Sequence, residues 1–171
     1  MNDRLLRIGG AVLTVANILN WVCVAGFVAA LLLSFPFAPA ILARLAAKYA
    51  MQPAEPVLQA LRVMLVLGLA VGPPLHIIFT RLRAIVATAE AGDPFVAPNA
   101  RRLQAAAWAL LVIQLLDLVI GALTWALAGR HIDTAGWSPS FGGWFSVLLL
   151  FILARVFAAG TRMRDELEIT V

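Results

Sequence analysis

Four long apolar segments, separated by short stretches that carry arginine, organise this sequence. No Asp, Glu, Lys or Arg occurs in Ile8–Ala43, Val63–Thr80, Leu103–Leu116 or Thr134–Ala154. An apolar segment of about 18 residues or more is long enough to cross the ~30 Å hydrocarbon core of a bilayer as an α-helix. The third segment reaches this length only by including Asp117. The pattern therefore predicts an integral membrane protein with a carboxylate inside its third span.

The predicted fold is all-α, a four-helix bundle that forms a single membrane domain over residues 1–171. We expect the first helix to end before Pro36, because proline disrupts a helix interior. The four spans are predicted at about 10–33, 57–80, 103–128 and 143–160.

A shorter helix is expected between the first two spans, over Ala40–Met51. Its apolar side chains lie roughly on one side, and they are Ile41, Leu42, Leu45 and Tyr49. Arg44 and Lys48 lie one turn apart on another side. This amphipathic pattern is typical of a helix that lies along the membrane interface, and we place it outside the cell.

The composition supports a membrane protein and leaves no room for a sizeable soluble domain. The chain is 63% hydrophobic and 13% charged, with a mean hydropathy of +0.94. Soluble domains carry about a quarter charged residues. Arginines at an anionic membrane surface account for the net charge of +4, so we expect no direct nucleic-acid binding. The amino terminus resembles a secretory signal, but its apolar run is much longer than the usual core of about 7–15 residues. We interpret it as an uncleaved first helix.

The distribution of basic residues predicts the orientation. With the amino terminus inside, eight arginines are cytoplasmic: Arg4, Arg7, Arg81, Arg83, Arg101, Arg102, Arg162 and Arg164. Four basic residues are then external: Arg44, Lys48, Arg62 and Arg130. This excess favours both termini inside. Trp125, Trp137 and Trp144 then lie near the external interface, where aromatic side chains concentrate.

Polar residues inside two spans form the first candidate site. Gln114, Asp117, Gly121 and Thr124 follow helical spacing and share one face of the third span, while the first span contains Thr14, Asn17 and Asn20. A carboxylate at the bilayer centre costs roughly 2.5–3.5 kcal/mol, so this face should point into the protein. We expect the two sets to lie at one depth, with Asp117 bonded to Asn17, Asn20 or Gln114. The alternative is an ion pair with Arg155, which its long side chain disfavours by reaching toward the cytoplasmic face. Such a core fits either a proton or cation path or hydrogen bonding that joins the helices.

The second span contains a pair of glycines followed by a pair of prolines. Gly68 and Gly72 form a small-xxx-small pattern, which indicates tight packing within the bundle or a homodimer face. Pro73 and Pro74 should kink or break the helix. His76 follows them and is interpreted as a satisfied polar residue, since no second histidine accompanies it to form a metal site.

The connection from Arg81 to Arg102 and the tail from Arg162 to Val171 form the second candidate site. Helical spacing of Leu82, Ile85 and Val86 predicts that the second helix continues past the membrane. Gly92-Asp93-Pro94 turns the chain before the third helix begins. The hairpin is either an anchor at lipid headgroups or a surface that docks a cytoplasmic partner together with the tail.

The same two segments resemble a bacterial family of short four-helix inner-membrane proteins, domain of unknown function 2975. The family pattern is a Gly-x-Pro-Phe turn, an Asn before an Arg-Leu helix start, and a Gly-x-x-Leu-Arg-x-Glu tail that ends Leu-Thr-Val. This chain departs from it at Met163 and Ile169. The matching residues are Gly92, Pro94, Phe95, Asn99, Arg102, Leu103, Gly160, Arg164, Glu166, Thr170 and Val171.

The resemblance implies location in the bacterial inner membrane. It also implies a partner, because members are often encoded beside a small cytoplasmic helix-turn-helix regulator. No catalytic residues come with it. The sequence itself contains no phosphate-binding Gly-x-x-x-x-Gly-Lys loop, no Gly-x-Ser-x-Gly elbow and no Cys-x-x-Cys unit, so we expect no enzyme, metal or cofactor. Two hypotheses remain: a membrane partner of that regulator, or a small transporter, channel subunit or immunity-like protein that uses Asp117.

Overall fold

The computed structural model describes residues 3–48, 54–129 and 137–169. Within these ranges the regular structure consists of five α-helices joined by turns, which confirms the all-α prediction. The helices are α1 (Asp3–Leu33), α2 (Ala38–Lys48), α3 (Ala54–Glu90), α4 (Ala97–Ala128) and α5 (Phe141–Ile169).

Four of these helices are long and apolar enough to cross a bilayer, as the sequence predicts. The candidate spans are Arg4–Leu33, Ala54–Glu90, Ala97–Ala128 and Phe141–Arg164. Many of their large apolar side chains are exposed on the outside of the protein. Such exposure would be unfavourable in water, but it is expected where lipid surrounds the helices. Only α4 has more than a quarter of its most apolar window buried, at 28%. It is therefore the span with the most internal packing.

Each predicted span lies within one observed helix, and the helices extend beyond the spans. The first helix ends at Leu33, before Pro36, and α3 continues to Glu90 past its apolar part, as expected. Of the kink or break expected at Pro73 and Pro74, the break does not occur, since α3 remains helical through both prolines. Neighbouring helices and local adjustments of the backbone allow prolines inside membrane helices. The fifth helix continues past the predicted fourth span to Ile169.

The short helix between the first two spans is present as α2. Ile41, Leu42 and Leu45 are partly buried, while Arg44 and Lys48 are exposed, so the helix is amphipathic as predicted. Tyr49 and Met51 lie outside the described residues. The external location of α2 stays a prediction.

The chain forms two compact units. The first comprises Met1–Asn20, Pro73–Gln114 and Ser140–Val171, and the second comprises Trp21–Gly72 and Leu115–Pro139. In the first unit, the most buried side chains of α4 include Ala106 and Ala107, with no exposed surface, because small side chains let neighbouring helices approach closely. The second unit buries Leu58 of α3, which is 1% exposed.

Candidate functional site: the α3–α4 turn and the C-terminal helix

The turn after α3 is a Schellman motif closed by Gly92. Gly92 has φ +82°, a left-handed conformation that glycine adopts without a side-chain penalty. The amide of Gly92 donates to the carbonyl of Ala89 at 3.1 Å, and the amide of Asp93 donates to the carbonyl of Thr88 at 3.0 Å. These bonds satisfy two carbonyls that the helix end leaves without partners. The turn therefore has a fixed exit direction.

Asn99, in the first turn of α4, holds both sides of this connection together. Its side chain has no exposed surface. The Nδ2 group donates to the Thr88 hydroxyl at 2.7 Å and to the Pro94 carbonyl at 2.8 Å. Thr88 in turn donates to the carbonyl of Ile85 at 2.7 Å, so its hydroxyl both accepts and donates. The amide uses both of its donor positions inside the connection.

Arg102 completes this network from one helical turn further along α4. Its Nη1 group donates to Asn99 Oδ1 at 2.7 Å and lies 3.3 Å from the carbonyl of Ala84. Arg102 therefore joins α4 to the last turns of α3. The sequence suggested a residue at the membrane surface, and the structure adds a specific internal role.

The C-terminal helix packs against the same turn through an aromatic pair and an ion pair. The rings of Phe95 and Phe157 lie 5.1 Å apart between centroids, at an interplanar angle of 30°. Phe95 also lies over Gly160, where a Cβ atom would come within 3.2 Å of its ring. Arg164 of α5 donates to the carboxylate of Asp93. Residues 157, 160 and 164 thus form the face of α5 that contacts the turn.

The second candidate site is therefore assembled at one end of the first unit. Six of its predicted residues make these contacts or form the turn itself: Gly92, Pro94, Phe95, Asn99, Arg102 and Arg164. Glu166 is exposed on α5 and has a contact of its own. Val171 lies outside the described residues. We name the assembled region, residues 88–102 and 157–166, the turn–helix end. Its docking role stays a prediction.

The polar residues of the first span include one that bonds to another helix. Asn17 Oδ1 lies 2.9 Å from Nδ1 of His76, which belongs to α3. An amide oxygen can only accept, so Nδ1 of His76 carries the proton of this bond. Thr14 donates to the carbonyl of Gly10 in its own helix, and Asn20 is buried at 8% exposure. The interpretation of His76 as a satisfied polar residue agrees with this bond.

Asp117 bonds to a tryptophan that the sequence analysis placed only in an aromatic belt. The indole Nε1 of Trp137 donates to Asp117 Oδ1 at 3.3 Å. One turn along α4, Gly121 leaves the space for this ring, since a Cβ at Gly121 would overlap it. Thr124 donates to the carbonyl of Ile120 within its own helix. A glycine four residues after the carboxylate, on the same face of α4, is the sequence signal for an aromatic side chain packed there.

Gln114 contacts the segment that leads into α5. Its Nε2 group lies 3.4 Å from the carbonyl of Ser140, a long hydrogen bond. A Cβ atom at Gly143 would overlap the Gln114 amide, so glycine at this position permits the contact. Across the described residues, every buried side-chain nitrogen or oxygen has a hydrogen-bond partner. Gln114 of α4 therefore contacts both the residue just before α5 and the first turn of α5.

Two further contacts in the second unit show how α1 and α3 meet. Gly68 lies against the ring of Phe27, where a Cβ would come within 3.2 Å, and Gly72 is buried. Arg62 donates through Nε to the Ser34 hydroxyl at 3.1 Å and through Nη2 to the Ser34 carbonyl at 2.8 Å. Its guanidinium also lies 4.2 Å from the centroid of the Phe35 ring. Sequence reasoning assigned Arg62 only to the external charge count and missed this role.

These features define a helical, multi-pass membrane protein whose turn–helix end is held by internal contacts. Among the described residues, no three His, Cys, Asp or Glu side chains gather closely enough to hold a metal ion. The family model of the proteins described as "Protein of unknown function (DUF2975)" matches residues 15–171, and the chain belongs to this family. This confirms the resemblance. Neither a curated protein nor a solved structure is significantly similar to the chain.

Proposed function

We propose that the protein is a membrane partner of a small cytoplasmic helix-turn-helix regulator, which it binds through the turn–helix end. The observation that carries this proposal is the network of hydrogen bonds and the ion pair of Asn99, Arg102 and Asp93–Arg164, which joins the α3–α4 turn to α3 and α5. A surface that needs no ordering on binding loses less entropy when it meets a partner.

Exposed apolar side chains within this end support the proposal. Phe95 is 45% exposed although its ring also packs on α5, and Met163 is 61% exposed next to Arg164. The rest of the surface offers charge of both signs, with Arg162 and Glu166 exposed on α5. Aromatic, methionine and arginine side chains are enriched in protein interfaces. This composition suits a protein partner better than a small-molecule substrate.

The proposed location is the inner membrane of a bacterium, with both termini and the turn–helix end in the cytoplasm. The arginine count supports this orientation, because eight basic residues then face the cytoplasm and four face outward. A cytoplasmic DNA-binding protein would meet the turn–helix end in this orientation alone.

The experiment is affinity purification of the gently solubilised, full-length protein from its native membranes, followed by mass spectrometry. We expect a small helix-turn-helix protein to accompany it. Met163→Asp should reduce recovery roughly tenfold, the effect of losing one interface side chain that contributes about 1.4 kcal/mol. Ala47→Asp on α2 is the matched control, since Ala47 is also exposed on a helix, and it should leave recovery unchanged.

Two outcomes would contradict the proposal. Recovery of the protein without any DNA-binding companion would reject it. Equal recovery with wild type and Met163→Asp would place the partner elsewhere on the protein and reject the turn–helix end as its site.

A further inference from the structure

A groove between α4 and α5 carries two arginines that are not used by the contacts above. It has a volume of about 320 Å³ and is lined by three polar side chains, Arg101, Gln104 and Arg155. Both arginines are exposed. In the part of the chain that the structure describes, neither makes a hydrogen bond or an ion pair, and no carboxylate lines the groove. The groove is therefore a cationic site with no counter-charge of its own.

The remaining wall of the groove is apolar. Ala154 and Ala158 of α5 form one side, and Phe151 lies deeper along the same helix. Trp108 of α4 supports Phe151 in an edge-to-face contact, with ring centroids 5.2 Å apart. A ligand that fills this groove must be anionic at one end and apolar at the other.

The position of the arginines along their helices fits the boundary of a membrane. Arg101 lies four residues after the start of α4, and Arg155 lies nine residues before Arg164, where the fourth candidate span ends. A rise of 1.5 Å per residue puts these side chains about 6 Å and about 14 Å from those helix and span ends. Guanidinium groups at such depths reach toward the headgroup layer on their long side chains.

We propose that this groove binds the phosphodiester group of an anionic phospholipid, with one acyl chain along Ala154, Ala158 and Phe151. Arginine matches a phosphate by paired, charge-assisted hydrogen bonds, and basic pockets between membrane helices hold acidic headgroups. A zwitterionic lipid would bring its own cation against two guanidinium groups, so the groove selects for net negative charge. The bound lipid joins α4 to α5, and its groove shares Ala100, Arg101 and Ala158 with the turn–helix end. The inference is independent of the proposed regulator.

Native mass spectrometry of the full-length protein in detergent micelles tests the proposal, with phosphatidylglycerol and phosphatidylcholine as probes. We expect phosphatidylglycerol to bind more tightly. Arg101→Gln and Arg155→Gln should each weaken its binding roughly fivefold, and the double variant about twenty-five-fold. The control is Arg83→Gln with Arg162→Gln, which removes the same charge from exposed positions that do not line the groove.

A second pair of variants tests the shape of the groove without changing its charge. Ala158→Leu fills the groove and should weaken phosphatidylglycerol binding, whereas Ala159→Leu, exposed and outside the groove, should not. These substitutions keep the proposal testable if the arginine variants fold poorly.

Three results would overturn the proposal. The first is equal binding of phosphatidylglycerol by wild type and the double arginine variant. The second is an equal loss in the control variants, which would mean that overall charge alone attracts the lipid. The third is displacement of phosphatidylglycerol by inorganic phosphate or glycerol phosphate, which would make a free phosphate the ligand.

Discussion

At the scale of single residues, polar side chains are held by specific partners that sequence spacing does not name. Asn99 is buried and bonds to Thr88, to Pro94 and to Arg102. These bonds give Asn99 a role inside the protein. Asp117 is likewise held by Trp137. Both residues were candidate site residues in the sequence, and both make contacts that stabilise the fold.

Asn99→Ala should destabilise the protein by roughly 2–4 kcal/mol, because the substitution removes the hydrogen bonds that the buried Asn99 amide makes with Thr88, Pro94 and Arg102. The free energy of unfolding in mixed micelles measures this change. Gln59→Ala is the control, since this exposed amide of α3 has no hydrogen bond in the described residues, and it should change stability by about 0.5 kcal/mol or less. Equal effects of the two substitutions would contradict the role given to Asn99.

At the scale of helices, the polar face of α4 contacts the residues just before α5 and at its start. Gln114 meets Ser140 and Gly143, while Asp117 and Gly121 meet Trp137. Spacing along α4 predicted that these residues share a face. It could not predict their partners, because residues 137–143 reach α4 only through the return of the chain. These contacts also require glycine at positions 121 and 143, because a Cβ atom there would overlap Trp137 and Gln114.

Gly121→Ala should destabilise the protein by roughly 1–3 kcal/mol, because the added Cβ forces the indole of Trp137 away from Asp117. A double-mutant cycle with Trp137→Ala measures the coupling, and the cost of Gly121→Ala should largely disappear without the ring. Gly26→Ala is the control, since no atom lies within 4 Å of its added Cβ and alanine favours a helix by about 0.5–1 kcal/mol. An undiminished cost without Trp137 would refute the contact.

At the scale of the whole molecule, four apolar helices and the distribution of arginines predict how the protein is oriented in a bilayer. Membership of the family and the four candidate spans agree with the hydropathy pattern. The orientation depends on an excess of basic residues on one side, which acts during insertion and has no counterpart in the contacts between helices. It is therefore a separate prediction with its own experiment.

Single cysteines at Ala91 and Ala46, each in a Cys23→Ala background, test the orientation. Both positions are exposed, and Cys23 is the only native cysteine. A membrane-impermeant maleimide applied to intact cells should label Ala46→Cys but not Ala91→Cys, while permeabilised cells should show both. The reverse pattern would place the turn–helix end outside the cell and remove the basis for a cytoplasmic partner.

Local sequence patterns predicted the all-helical class, four apolar helices long enough to span a membrane, the end of α1 before Pro36 and the continuation of α3 past its apolar part. These properties follow from local composition, because a helix in lipid must satisfy its own backbone and show apolar side chains to its solvent. Tertiary structure alone decided the partners of Asn99 and Asp117, the bond of Arg62 to Ser34 and the groove between α4 and α5. Each of these contacts joins residues that are far apart in the chain. The periodicity of one helix predicts which face of that helix a side chain occupies, but it does not predict which residues of another segment lie against that face.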